Sequence, residues 1–435
     1  MSINENFIVA PKWIYTANKN QDLLENAAVL VVGNSIKKII PNNEINQYEV
    51  DSVYHLKDSI LIPGLINNHT HAGMSFLKGY ADSQPLDKWL NDYIWPAEKT
   101  YLNPDLVLDA SMLSSAEMIA SGVTTFNDMY FYPESTAEAI KITRQRANIG
   151  LLVMDLHTSY ANDPESYLER GFEFRDNFRD EHLISTSIAP HAPYSVSNET
   201  FQIVNTYAEQ LNLTIHCHLH ETEWEIQESL KKFNVRPISR LNELGILGPN
   251  FIAVHCVHLD STDLEMLNAQ KVNVALCPKS NLKLGSGIYN KSLINSIEGH
   301  VTIGTDSSAS NNRLDILDEL KMFSLLQRSH GVEDYINHKD LIDLVTINAA
   351  KSLNLDHKIG SIEEGKAADL TVINLADVFT EPVYDPITTL IYSSGRDQVS
   401  HVWVDGRLLL KDKHFTSLDI ESIQKKIKIW QSKIM

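Results

Sequence analysis

The chain has 435 residues, 43% hydrophobic and 21% charged, which is the make-up of an ordinary globular protein with ample core material and excludes a disordered or collagenous chain. Lysine and arginine total 37 against 56 aspartates and glutamates, and the net charge of −19 repels phosphate backbones and anionic membranes. No run approaches the ~20 apolar residues of a membrane span and MSINENFIVAPKW is no secretory leader, so the expectation is a cytoplasmic protein with no nucleic-acid and no membrane partner.

Residues 1–62 read as short β-runs, FIVAPKWIYT, AAVLVV, SIKKII and SILIP, separated by polar turns. From residue 60 the pattern changes to strand-length apolar runs alternating with helical stretches. The runs are 61–71, 123–129, 148–156, 183–191, 213–221, 251–259, 272–278 and 301–308, eight in all. Amphipathic segments at 106–122, 199–212 and 261–271 lie between them. Eight strands alternating with helices predict a (β/α)8 TIM barrel. Two more helical stretches follow at 314–331 and 340–354, then β character returns at 366–375 and 400–412, and IESIQKKIKIWQSK closes the chain as a helix. The expected organisation is an α/β chain with three parts. Residues 63–364 form the barrel, residues 1–62 plus 365–420 form a small β-sandwich domain from both chain ends, and residues 421–435 are a C-terminal helix.

Barrel chemistry sits at the C-terminal ends of the strands. There the sequence places His69 and His71, His191, the group His216, His218, His220 and Glu221, then His255, His258 and Asp306. One H-x-H pair is expected by chance among 17 histidines, but three are present, each at the end of an expected strand. Residues i and i+2 of a strand share a face, so His69 and His71 point together into the barrel mouth. Two imidazoles from one strand, one from a later strand and a carboxylate make a chelating set for a divalent cation. His216, His218 and His220 cannot all be ligands, and Asp306 taken alone could equally cap a helix. Three cysteines, Cys217, Cys256 and Cys277, without a CxxC pair exclude a disulfide scaffold and a cysteine-based zinc site.

The motifs PGLINNHTHAGM (63–74), APHAPYSV (189–196), HLHET (218–222), AVHCVHL (253–259), CPKSNLKLGSG (277–287) and GTDSSASNN (304–312) resemble the amidohydrolase superfamily over nearly the whole chain. Within it they resemble the nucleoside and triazine hydrolases. ADSQPLDKWLNDYIWPAE (81–98) and FNDMYF (126–131) carry a closer likeness to the 5′-methylthioadenosine/S-adenosylhomocysteine deaminase family. That resemblance implies metal ligands at His69, His71, His218 and Asp306, a general acid/base at Glu221, and a histidine beside the hydrolytic water at His255. It implies a purine contact at His191, a stacking tryptophan at Trp89 and a ribose-binding carboxylate at Glu98. The roles of Asn281, Lys283, His216 and His220 stay open.

Two-metal members of the superfamily commonly bridge their ions with a modified lysine on strand four. LISTSIAPH has no lysine, so one divalent ion per chain, zinc by choice, is expected. The implied reaction replaces the C6 amino group of an adenosine-type nucleoside with oxygen and releases ammonia. The sibling reading is an s-triazine or guanine-like substrate, which would leave Glu98 with no diol to hold. Relatives that take S-adenosylhomocysteine grip its carboxylate with arginines after strand three. Residues 151–167 contain none, and only Arg170 follows, so a neutral 5′-methylthio tail is the expected preference. Relatives of this kind often form homo-oligomers, and that is equally open to this chain.

Overall fold

The structure, a computed structural model, describes residues 5–18, 20, 23–329 and 336–434. The strands are β1 (Phe7–Tyr15), β2 (Leu23–Glu25), β3 (Ala27–Val32), β4 (Ser35–Pro41), β5 (Ser52–Pro63), β6 (Leu65–Thr70), β7 (Val123–Met129), β8 (Arg146–Val153), β9 (Ile184–Pro190), β10 (Ile215–Leu219), β11 (Phe251–His255), β12 (Asn273–Leu276), β13 (Val301–Ile303), β14 (Leu370–Asn374), β15 (Val399–Val404), β16 (Arg407–Lys411) and β17 (His414–Phe415).

Strands β6 to β13 form one eight-stranded sheet in sequential order, with every pairing parallel. Parallel strands are buried on both faces, and β7 and β8 are buried at every residue. The seam between β13 and β6 is closed just beyond β13. The Thr305 N–H donates to Asn67 Oδ1 at 2.9 Å and the Asp306 N–H donates to the His69 carbonyl at 3.0 Å. Helices return between the strands, several starting at a side-chain cap. Asn103 accepts the Leu106 N–H, Ser197 the Thr200 N–H and Asp260 the Asp263 N–H.

The other sheet is mixed and nine-stranded, in the order β17-β16-β15-β14-β5-β1-β3-β4 with β2 on β1. β5 is where the chain ends meet, pairing parallel with β1 and antiparallel with β14. The sheet curls on itself, so that Ser35 bridges to Ala367 and the Ile36 N–H reaches the Lys366 carbonyl. Phe7 and Trp403 stack inside the curl with ring centroids 5.5 Å apart. The sandwich expected from the sequence is therefore one continuous folded-over sheet.

Several sequence boundaries are corrected. The run expected at 61–71 belongs to two sheets, divided at Gly64, where a Cβ would lie 2.1 Å from Thr124 Oγ1. The single β-run at 400–412 is a hairpin, β15 and β16, turned by Asp405 and Gly406 at φ 51° and 75°. The helix expected at 340–354 is two, His338–Asp343 and Ile347–Ser352. The one expected at 314–331 runs Ile316–Arg328, and positions 330 and 331 lie outside the described residues. The last helix, Ile420–Ile434, docks on the helix Pro104–Ala120, where Lys426 and Trp430 share Asp109 at 2.8 and 2.9 Å. Among the described residues no helix is long and apolar enough to cross a membrane.

Candidate active site

β6 ends at Thr70, so His69 lies within the strand and His71 just beyond it. Both rings still converge on one oxygen, with His69 Nε2 3.4 Å and His71 Nε2 3.2 Å from Asp306 Oδ1. His218 on β10 brings its Nε2 to 3.2 Å from His69 Nε2. The other nitrogens of two rings are committed elsewhere. His71 Nδ1 meets the Met129 carbonyl, and His218 Nδ1 meets the His191 carbonyl at 2.9 Å. A carbonyl only accepts, so both Nδ1 atoms carry hydrogen, and each Nε2, turned toward the cluster, is the atom that can ligate when its ring is neutral. Burial pushes His69 down to about 3 and His218 well below the ordinary value, which keeps both rings neutral and able to ligate. Burial works against ionisation of Asp306, but hydrogen bonds and charge from His69 and His71 hold it well below the usual carboxylate range. This donor set fits a divalent cation.

Asp306 has φ 61° and His255 φ 76°, left-handed conformations that cost about 1–3 kcal/mol each in residues with a Cβ. The Asp306 carboxylate is pinned by Ser280 Oγ at 2.5 Å, Ser310 Oγ at 3.0 Å and the Ser307 N–H at 2.7 Å. Gly304, between β13 and Asp306, lets this loop pass His69, since a Cβ there would sit 2.6 Å from that residue's Cβ. His255 ends β11 and sets its Nε2 3.6 Å from Glu221 Oε2, while its Nδ1 donates to Asn281 Oδ1 at 2.9 Å. One of its ring nitrogens also lies within 4.8 Å of ring nitrogens of His69 and His218. Burial raises the Glu221 carboxyl above its ordinary value, and Ser286 Oγ donates to it at 3.1 Å.

Two buried carboxylates hold the strand ends. Asp128 Oδ1 accepts from the Ala72 N–H at 2.7 Å and from Thr70 Oγ at 3.0 Å, fixing the turn that carries His71. Glu225 accepts from the N–H groups of His220 and Glu221, both at 2.9 Å. Burial lifts these two carboxyls to about 6 and about 8. Sequence reasoning missed both, and it left Asn281, Lys283 and His220 open. Asn281 orients His255. Lys283 ties Asp82, Ala309 and Asn312 together. His220 faces Asp263 at 3.4 Å and accepts the Ile238 N–H at 3.1 Å, away from the cluster.

A cavity opens over the cluster, lined by His71, His218, Glu221, His255 and Asp306 together with Trp89, Ile94, Trp95 and Glu98. The second group comes from residues 86–101, two short helices joined by a π-turn at Leu90–Ile94. Pro96 has no N–H for the Asp92 carbonyl, and the turn ahead of it widens. His191 lines the cavity too, anchored by Ser195 Oγ at 2.8 Å from its Nδ1. Burial pushes His191 down to about 3. Glu98 is buried, takes a hydrogen bond from the Tyr130 hydroxyl at 2.6 Å, and is lifted by burial to about 7. A second, wider chamber shares Trp95, Glu98, Phe131 and Met154 and adds Leu102, Lys99 and His157. No arginine among the described residues lines either chamber. Arg170 turns instead to the Tyr160 carbonyl and packs over that ring.

Residues 60–409 match the family model described as amidohydrolase family. The chain belongs to the amidohydrolase family. The match takes in the whole barrel and, of the mixed sheet, the end of β5, β14, β15 and most of β16, and the family is metal-dependent. Among amidohydrolases, the chain is 38% identical over 432 residues to a 5-methylthioadenosine/S-adenosylhomocysteine deaminase of Saccharophagus degradans, covering 98% of this chain and 96% of that one. It is 35% identical over 405 residues to a 5′-deoxyadenosine deaminase of Methanosphaera stadtmanae, covering 92% and 93%. An adenosine deaminase from Xanthomonas campestris, solved with bound zinc, superposes with a TM-score of 0.96 at 33% identity, covering 99% and 98%.

Proposed function

We propose that this amidohydrolase uses one divalent ion, zinc by choice, to deaminate 5′-methylthioadenosine and related adenosines to the inosine analogues and ammonia. His69, His71, His218 and Asp306 would hold the ion. When bound, it supplies hydroxide at neutral pH by lowering the pKa of water toward ~7.

The protein's residues then divide the remaining work. His191 and Trp89 contact the purine, and Glu98 accepts hydrogen bonds from the ribose hydroxyls. Glu221 takes the proton from the water and delivers it to N1, which makes C6 electrophilic. Burial, which raises its carboxyl, favours the protonated form that such a shuttle must pass through. His255, oriented by Asn281, positions the water beside Glu221. Asp306 passes the second proton to the departing amino group. Water's oxygen ends on C6 and its two hydrogens on N1 and ammonia, so the exchange balances.

The observation that carries the substrate reading is the buried Glu98 carboxylate, aligned by Tyr130 in the wall of the cavity that also holds the histidine–aspartate cluster. A ribose-free heterocycle would offer the carboxylate's remaining acceptor positions no hydroxyl. The test is ammonia release from a panel of 5′-methylthioadenosine, 5′-deoxyadenosine, adenosine, guanine and an s-triazine. Nucleosides alone should react. Turnover of guanine or the triazine with none of the adenosines would overturn the proposal.

A further inference from the structure

Two of the three clustered histidines rest their Nδ1 on a backbone carbonyl, but His69 does not. Its Nδ1 lies 2.9 Å from Nε2 of His216, two residues before His218 on β10, with the two rings near perpendicular at 85°. Only one hydrogen fits between two nitrogens at that separation. If it sits on His216, His69 Nε2 must carry a hydrogen toward Asp306, and its lone pair is lost to a metal. If it sits on His69, the His69 Nε2 lone pair is free and His216 acts as acceptor. His216 is then protonated at Nδ1, an atom that is fully buried and has no hydrogen-bond partner among the described residues.

We infer that His216 is the positioning residue for His69: a neutral imidazole that fixes the ligand's tautomer and ring plane through Nε2 and leaves its own Nδ1–H in the barrel core. The reason for a histidine lies in charge and reach. The Met129 and His191 carbonyls that serve His71 and His218 are also neutral acceptors, so Asp306 remains the only anionic ligand of the four. A carboxylate at position 216 would place a second negative charge at 0% exposure. The strand explains the reach, since residues 216 and 218 share a face and the deeper one arrives behind His69 rather than beside it.

The inference rests on the assignment of His69 as a ligand, and the experiment separates the two. Zinc affinity is measured on full-length protein by competition with a fluorescent chelator. His216→Leu should weaken zinc binding about 10- to 100-fold, the usual scale for losing such a partner. His216→Gln, whose side-chain oxygen can stand where Nε2 stood, should recover most of the loss. Long-range 1H–15N spectra of the zinc-loaded wild type should find His216 protonated at Nδ1 and bare at Nε2. A folded His216→Leu protein with wild-type zinc affinity, or a hydrogen on His216 Nε2, overturns the inference. If His216→Leu does not fold, the wild-type spectrum decides. Undiminished zinc affinity in His69→Ala would overturn the ligand assignment itself.

Discussion

Tyr130→Phe removes one hydrogen bond and little else. In the wild type that hydroxyl donates to Glu98 Oε1 at 2.6 Å, and burial holds the carboxyl at about 7. The bond favours the ionised form, and such bonds are worth about 1.5–3 kcal/mol. At 1.36 kcal/mol per pKa unit, losing it should raise the Glu98 pKa by about 1–2 units. In the proposed binding mode ionised Glu98 would accept from both ribose hydroxyls, whereas the protonated form would do so poorly. kcat/KM should therefore rise with pH through about 7 in the wild type. In the variant the same rise should come about 1–2 units higher. At pH 7 the ionised fraction falls from about one half to about one tenth or one hundredth, so kcat/KM should drop about 5- to 50-fold and recover at alkaline pH. The assay is a pH profile of kcat and KM for both proteins on 5′-methylthioadenosine, repeated with 2′,3′-dideoxyadenosine. Glu221 also lies above its ordinary value, but in the proposed mechanism its ionisation would govern turnover and would not depend on the diol. An acid limb at the same pH in both proteins, or one that persists unchanged with the dideoxy compound, would refute the reasoning.

Glu221→Gln should keep its zinc and bind substrate while losing turnover by ~10²-fold or more, so a metal assay beside steady-state kinetics checks the role. Asn281→Leu should lower kcat about 10-fold or more with KM little changed, because it frees the His255 ring without touching substrate, and an unchanged kcat would contradict that. With no arginine among the described residues lining either chamber, and Lys99 the only lysine or arginine among those lining the second, 5′-methylthioadenosine should exceed S-adenosylhomocysteine by ~10-fold in kcat/KM. Equal values would assign carboxylate recognition to Lys99.

The barrel was legible because parallel strands buried on both faces write continuous apolar runs: seven of the eight runs contain their strand, and the eighth overlaps β8, which starts two residues earlier at Arg146. The runs overshoot, since His71, His191, Glu221 and Asp306 lie just past the strand ends, where polar residues follow the apolar ones without a break. The first half of β5 was missed because SVYHLKD alternates exposed and half-buried residues and carries charge. The Asp405-Gly406 turn was present as a turn signal inside an otherwise unbroken β-run. Within the site, residue types at strand ends pointed to the metal cluster and Glu221. The supporting residues were not readable. Asp128 and Glu225 act on backbone N–H groups, which leave no mark in the sequence. His216 differs from His218 only in depth along one strand. Tyr130 sits in a motif that marked the family without showing which of its side chains reaches Glu98.

The central claim is a single-ion aminohydrolase, and a zinc titration of metal-free protein tests it most directly. Ammonia release from 5′-methylthioadenosine is followed as zinc is added to chelator-stripped chain of known concentration. The account predicts no turnover without metal, a linear rise to one zinc per chain, and a plateau beyond it. Turnover by the stripped protein, or a plateau reached only at two zinc ions per chain, would contradict it.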